Sequence, residues 1–452
     1  MKNIKQLFYL LFVLVFACKA ISGNVVVFSE TEQNNYIGKY VWILEDTSGK
    51  MNIHEARNSG KFKLSTADVP RFGFTSSAIW VKFQVKNPLP KKHLILELGA
   101  PLIDEAELYT LNDDSTFTSV TVGQNKPFYS RKYDSPTYLF DLYIEQGSTK
   151  TYFMKIKSYD QIEIPLKVIS TMQTFSSVTT HNFMLGIYCG IMLIMVFYNL
   201  FIYFSIRDKS YLYYVAYILV VMLTQTTFQG YTFKYLWPSC PRFEVASILL
   251  MSILVGFASV EFLRVFLNTK QNTPKLDKVF LVAYFFYGIA TMLVIMGIYQ
   301  VGWVLILSIV SPLSMYMLFV AIRVAGMGYR PAVFFSVAWS IFLVGVFIYA
   351  MKDFGILPHN NFTVYTMPVG SAIETVLLSF ALADRINILK KEKEESQAEV
   401  VLALQEKEKL IREQNTILEQ SVNERTMELK EANKQLNETL TNLKDTQTQL
   451  IN

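Results

Sequence analysis

Between Asn24 and about residue 178, apolar and polar residues alternate with period two. Val81, Phe83 and Val85 are interleaved with Lys82, Gln84 and Lys86, and Leu94, Leu96 and Leu98 make a second apolar set. Tyr152, Met154 and Ile156 make a third set, and Ile162, Ile164, Leu166 and Val168 a fourth. Successive side chains of a strand point to opposite faces, so each set predicts a half-buried strand. Turn-forming stretches such as NDDS and EQGSTK separate them. Many short strands with few helices between them predict an all-β, jelly-roll-like antiparallel sandwich over 24–178.

From Asn182 the alternation gives way to seven apolar segments of about 20 residues, the length that crosses a bilayer. They run approximately 182–205, 211–231, 245–266, 279–299, 303–322, 332–351 and 364–384. Backbone groups in lipid must bond within their own segment, so these are helices, and 179–384 is a seven-helix transmembrane domain. With the sandwich outside, the loops after the odd-numbered helices before the last are cytoplasmic. They hold Arg207, Lys209, Lys270, Lys275, Lys278, Arg323 and Arg330, against Lys234, Arg242 and Lys352 on the other side. Seven basic residues against three agrees with the positive-inside rule and puts the C-terminal segment in the cytoplasm.

After Asp384 the aromatic residues vanish, and 385–452 holds neither Gly nor Pro. Leu404, Ile411 and Leu418 are seven apart, and so are Leu429, Leu436, Leu443 and Leu450. This is the seam of a coiled coil, with a stutter between Leu418 and Leu429. With the second leucine set at d, the a positions are Asn433, Leu440 and Gln447. Polar a residues cost stability but fix register and favour a parallel dimer. A single solvated helix would leave four evenly spaced leucines exposed.

Composition supports the membrane reading. The chain of 452 residues is 52% hydrophobic and only 17% charged, with 34 Phe and 26 Tyr. Its net charge of +5 is spread along the chain and marks no nucleic-acid partner. Lys2 and Lys5, the apolar run from Leu7 to Ala17 and the small residues after it form a secretory leader over 1–23. LVFAC at Leu14–Cys18 is also a loose lipobox, but the large Phe16 favours ordinary cleavage near Gly23. The three cysteines, Cys18, Cys189 and Cys240, have no metal-ligand spacing and make no disulfide framework.

Few residues carry candidate chemistry. Glu374 lies near the middle of the seventh segment, close to Pro368 and Gly370. A carboxylate at that depth costs about 2.5–3.5 kcal/mol on insertion scales, so it faces the bundle interior. It is either part of a switch or a polar packing contact that fixes a helix rotation. Glu261 and Arg264 are i, i+3 neighbours near the cytoplasmic end of the third segment and are expected to pair. Pro368 is expected to kink the seventh helix. In the sandwich, Trp80, Tyr109, Phe128 and Tyr129 could stack on a sugar ring, although aromatics at strand spacing are more often core. Arg131 is the candidate for reading a polar or anionic ligand, and Tyr109 is a further candidate ligand contact. His54, His93, His181 and His359 all fall in or beside the exported side, and the sequence has no GxxxxGK loop. Neither a catalytic residue nor a metal or other cofactor is expected in these residues.

The stretch GIYCGIMLIMVFYNLFIYFSIRDKSYLYYVAYILV at Gly186–Val220 resembles the start of the membrane domain of the bacterial seven-transmembrane receptors with diverse intracellular signalling modules. GSAIETVLLSFALADRINILKKEKEE at Gly370–Glu395 is similar to the end of that domain. SSAIWVKFQVKN, LELGAPLIDEAELYTL, GQNKPFYSRKYDSPTYLFDLYIEQG and YFMKIKS resemble the family's extracellular sensory domain, a jelly roll akin to carbohydrate-binding modules. Val422–Asn452 resembles the helix that leads into the dimerisation domain of histidine kinases.

The resemblance implies a bacterial inner-membrane receptor. A small-molecule or carbohydrate ligand outside would be relayed through the seventh helix and a homodimeric coiled coil to a cytoplasmic output module or response regulator. A histidine kinase following residue 452 is the expected output, with a cyclase, a diguanylate cyclase or a phosphatase as alternatives. From other classes, a transporter would need broken helices and paired half-repeats, of which none is evident. A membrane-anchored carbohydrate-binding protein would leave the seven spans and the coiled coil without a role.

Overall fold

The computed structural model describes residues 25–30, 36–112, 114–159 and 161–451. The leader expected over 1–23, with Cys18, lies outside the described residues. Twelve strands are described. They are β1 (Val26–Val27), β2 (Trp42–Asp46), β3 (Lys63–Leu64), β4 (Arg71–Phe74), β5 (Ala78–Lys86), β6 (His93–Leu98), β7 (Glu105–Leu111), β8 (Phe117–Val122), β9 (Tyr138–Tyr143), β10 (Thr149–Lys157), β11 (Gln161–Glu163) and β12 (Leu166–Ser170).

They build a sandwich. One sheet runs β3-β2-β5-β10-β7-β8, with β1 added in parallel to the end of β5. The facing sheet is β12-β6-β9, and β11 pairs with β4 beside it. The core lies between the sheets: Val81, Phe83 and Val85 of β5 and Met154 of β10 meet Leu94, Leu96 and Leu98 of β6 and Phe140 of β9. Lys82, Gln84 and Lys86 take the other face of β5, as alternation requires. The start of β5 is buried on both faces. There Trp80 packs with Leu44, Phe153 and the short helix Ile53–Asn58, a second small core on the outer side of the larger sheet.

The fourth apolar set is two strands in different sheets. Ile162 pairs with Gly73 in β4, whereas Leu166 pairs with Leu98 in β6. Pro165 stands between them and has no N–H to donate, so the chain changes partner there.

A tight approach closes the β7–β8 edge. A Cβ added to Gly123 would lie 2.0 Å from the Asp104 carbonyl oxygen. Gly123→Ala is therefore expected to lower the thermal unfolding midpoint of the sandwich, at a cost of about 1–3 kcal/mol or more. Tryptophan fluorescence on heating measures this, with Gly99→Ala as a comparison, since a Cβ there meets only ordinary contacts, the nearest at 3.5 Å.

Seven helices are long and apolar enough to cross a membrane. They are α1 (Thr171–Ile206), α2 (Lys209–Phe228), α3 (Pro241–Phe266), α4 (Val279–Ile295), α5 (Tyr299–Ala325), α6 (Arg330–Asp353) and α7 (Asn361–Ile451). Helix α1 begins well before residue 182, directly at the end of β12. Ser170 is both the last strand residue and the N-cap: its hydroxyl accepts from Gln173 N, and the Gln173 side chain accepts from Ser170 N. Thr171–Thr180 is too polar for apolar periodicity to reveal it, but this capping box sets the start. The large side chains of Phe183, Ile194, Phe197 and Phe201 on α1 are exposed, as a lipid-facing surface requires. Helices α6 and α7 approach at Gly345, where a Cβ would lie 2.7 Å from the Thr366 carbonyl oxygen.

Residues Ala383–Asn452 form a second compact unit, wholly helical as far as Ile451.

Candidate functional site

Three polar clusters stand out against an otherwise apolar molecule. The first is in the bundle, where one face of α7 carries Ser371, Glu374, Thr375 and Ser379, all buried. These positions recur at helical spacing, so they share one face. Each meets a polar group of α1 or α2. Tyr188 of α1 lies 3.2 Å from Ser371, and Asn199 of α1 donates to Ser379 at 3.0 Å. Tyr217 of α2 donates to Glu374 Oε1 at 2.8 Å, and Tyr214 donates to the Thr375 carbonyl. Tyr214 and Tyr217 are held by Phe262 of α3, with ring centroids 4.9 and 5.8 Å away.

Glu374 Oε2 has no partner among the described residues. One neutral donor and no paired cation leave a full charge at this depth uncompensated, so the site accommodates the uncharged acid. The tyrosine partners could not be read from the sequence, because Tyr217 lies 157 positions away.

The second cluster closes the C-terminal end of α3. Arg264 Nη1 donates to Glu261 at 2.7 Å. Arg264 also grips Asp277 through two bonds of 2.8 Å, and Thr269 donates to the same carboxylate at 2.6 Å. Asp277, which the sequence reading did not name, is thus the bidentate partner, and the cluster ties α3 to the turn before α4. Tyr284 of α4 completes it by donating to Glu261.

The third lies where the sandwich meets the outer end of the bundle. Arg71 Nε of β4 donates to Glu163 of β11 at 3.0 Å. Lys352 of α6 is 3.7 Å from the same carboxylate and 2.6 Å from Asp353. His359, in the loop between α6 and α7, is 3.8 Å from Glu163 and meets Tyr36 edge-on at 5.1 Å. Burial above all, then Lys352, Arg71 and Lys167, holds the His359 imidazole down to about 3.

Of the sandwich candidates, Trp80 and Phe128 are buried, Arg131 and Tyr109 are half-buried, and Tyr129 is 70% exposed. The Arg131 guanidinium lies over Phe128 at 4.4 Å, Tyr138 at 4.6 Å and Phe233 at 5.6 Å, Phe233 belonging to the short helix after α2. Its Nη1 donates to the carbonyls of Ser135 and Pro136, at 3.1 and 2.8 Å. Burial lowers its pKa from the usual arginine value. The Phe128 amide bonds to the Pro238 carbonyl at 2.8 Å, so this corner pins the sandwich to the outer surface of the bundle. Tyr109 stacks on Trp80 at 5.5 Å and donates to Glu107 at 2.5 Å, within the small outer core. Arg131 and Tyr109 both engage neighbouring protein groups. The rings of Phe128 and Tyr138, from the sandwich itself, cover Arg131 most closely, and Phe233 adds a third from beyond α2.

On the C-terminal helix, Leu429, Leu436, Leu440 and Leu443 are 55–63% exposed and Asn433 is exposed. The Leu450 side chain lies outside the described ones. No group of side chains among the described residues could hold a metal ion.

A family model described as "7TM diverse intracellular signalling" matches residues 181–385. A second, described as "7TMR-DISM extracellular 2", matches residues 38–170. No curated protein matches the chain.

Proposed function

Because the chain belongs to the family of seven-transmembrane receptors with diverse intracellular signalling, in which an extracellular domain precedes the membrane helices, we propose that it senses a ligand outside a bacterial inner membrane and relays it through α7 to a cytoplasmic output module. One observation supports the relay above all: α7 meets α1 and α2 through a buried ladder of polar contacts, from Ser371 to Ser379. Hydrogen bonds have discrete partners, so a polar helix face moves between a few arrangements rather than sliding freely. A ligand with different affinity for two such arrangements shifts their populations. The heptad seam on the same helix gives the output, a repacking of a parallel homodimer, with its leucines covered by the second copy. The basic loops support a cytoplasmic C-terminal segment.

The output is a histidine kinase, supported by the likeness of Val422–Asn452 to a kinase lead-in. Membranes carrying the full-length gene product, incubated with labelled ATP, are expected to take up label that acid removes, as it does from phosphohistidine. Reading the gene beyond codon 452 checks the same point. A following cyclase or phosphatase sequence, or no acid-labile label, would overturn the kinase output and leave the receptor reading standing. Ligand-independent solute uptake by proteoliposomes would instead favour a transporter.

A further inference from the structure

A cavity of about 1020 Å³ opens between the sandwich and the loop that joins α6 to α7. We propose that this cavity, walled by Tyr36, Ile37, Arg71 and Val168 on one side and by Gly355 and His359 on the other, binds a small organic carboxylate. The proposal rests on the receptor reading above and gives it a ligand site and a ligand class.

Its size is that of small-molecule sites, about 300–1,000 Å³. Its walls are more polar than apolar: Lys39, Asp68, Arg71 and His359 stand beside Ile37 and Val168, with Lys39 and Asp68 paired to each other. Arg71 and His359 are incompletely used. Arg71 commits Nε to Glu163 and Nη1 to the Val69 carbonyl, at 3.0 and 3.2 Å, while Nη2 is buried without a partner. His359 Nδ1 is likewise buried without one. A buried guanidinium nitrogen left unpaired is costly, and a carboxylate is the group its planar fork fits. The imidazole of His359 is held neutral by its burial above all, with Lys352, Arg71 and Lys167 adding to this, although Glu163 and Asp353 offset Arg71 and Lys352. A neutral imidazole still donates one N–H to a carboxylate oxygen.

The arrangement also couples binding to α7. Both nitrogens are shut off from water, so an anion reaches them only when the 355–359 loop parts from β4. That loop is pressed close by Gly355, which has φ of +75° and whose added Cβ would lie 3.2 Å from Arg71 Nη1. Parting the loop moves the residues that lead into Asn361, the first of α7. The anion therefore binds the parted arrangement better, which is the differential affinity a signal needs.

Isothermal titration of the full chain in detergent, with acetate, succinate, citrate and galacturonate as probes, tests the site. At least one should bind. Arg71→Lys keeps the charge but loses the fork, and should weaken that probe tenfold or more. Ile356→Trp fills the cavity from an exposed loop position, leaves every charge in place and should weaken it similarly. Glu163→Gln removes the anion that competes for Arg71 and should tighten binding several-fold, an effect a purely structural salt bridge does not have. The proposal is overturned if the folded protein binds none of the four, if inorganic phosphate binds better than all of them, or if Arg71→Lys and Ile356→Trp leave binding unchanged. Binding that follows these variants while reporter output stays flat would refute the receptor reading and leave the site standing.

Discussion

Leu436→Asn should dissociate the dimer of residues 385–452 by about a hundredfold or more. Leu436 is 57% exposed on its own helix, midway along a row with Leu429 and Leu443. Burying a leucine is worth about 1.5–3 kcal/mol, and a parallel dimer loses two at once. Each 1.4 kcal/mol is about a tenfold change in dissociation constant. Asparagine at this d position also brings an amide into a layer that offers it no partner, unlike Asn433 at a, where two copies face each other. Glu431→Gln, on the exposed surface, should change the constant by less than about twofold. Sedimentation equilibrium over a micromolar range measures both. A parent segment that is monomeric at high micromolar concentration would contradict the seam, and with it the dimeric relay.

Tyr217→Phe is expected to destabilise the bundle by about 1–3 kcal/mol, because it strips Glu374 of its one donor and leaves a buried acid unsatisfied. Glu374→Leu should cost a similar amount by orphaning the Tyr217 hydroxyl. The double variant Tyr217→Phe with Glu374→Leu should recover much of the loss, since removing both partners of a buried bond is far less costly than removing one. Glu374→Gln keeps shape and an acceptor for Tyr217, so it should be nearly silent in thermal inactivation and in basal output. Strictly additive losses in the double variant would show that the two groups do not depend on each other. A large shift of basal output in Glu374→Gln would show instead that the group works as an ion, and the argument from its missing cation would fail.

The periodicities were legible because they are local. Period two along Val81–Val85, runs of about 20 apolar residues and sevenfold leucines each follow from the solvent that one face of an element meets, so neighbours along the chain suffice to read them. They gave the sandwich, the seven helices and the long C-terminal helix. Glu374 was also legible as inward-facing, since hydrocarbon penalises charge wherever it lies. What required the tertiary structure was every partner. Tyr217 meets Glu374 across 157 positions, and Arg71 meets Glu163 across 92. Arg131 lies over Phe128, Tyr138 and Phe233, the last from a helix about a hundred positions away. The split of Ile162 from Leu166 and the early start of α1 at Thr171 were decided by single residues, Pro165 and Ser170, whose effect on backbone hydrogen bonding no hydrophobic pattern records. The cavity beside Arg71 belongs to neither domain's pattern, because it exists only where the sandwich and the α6–α7 loop come together in space.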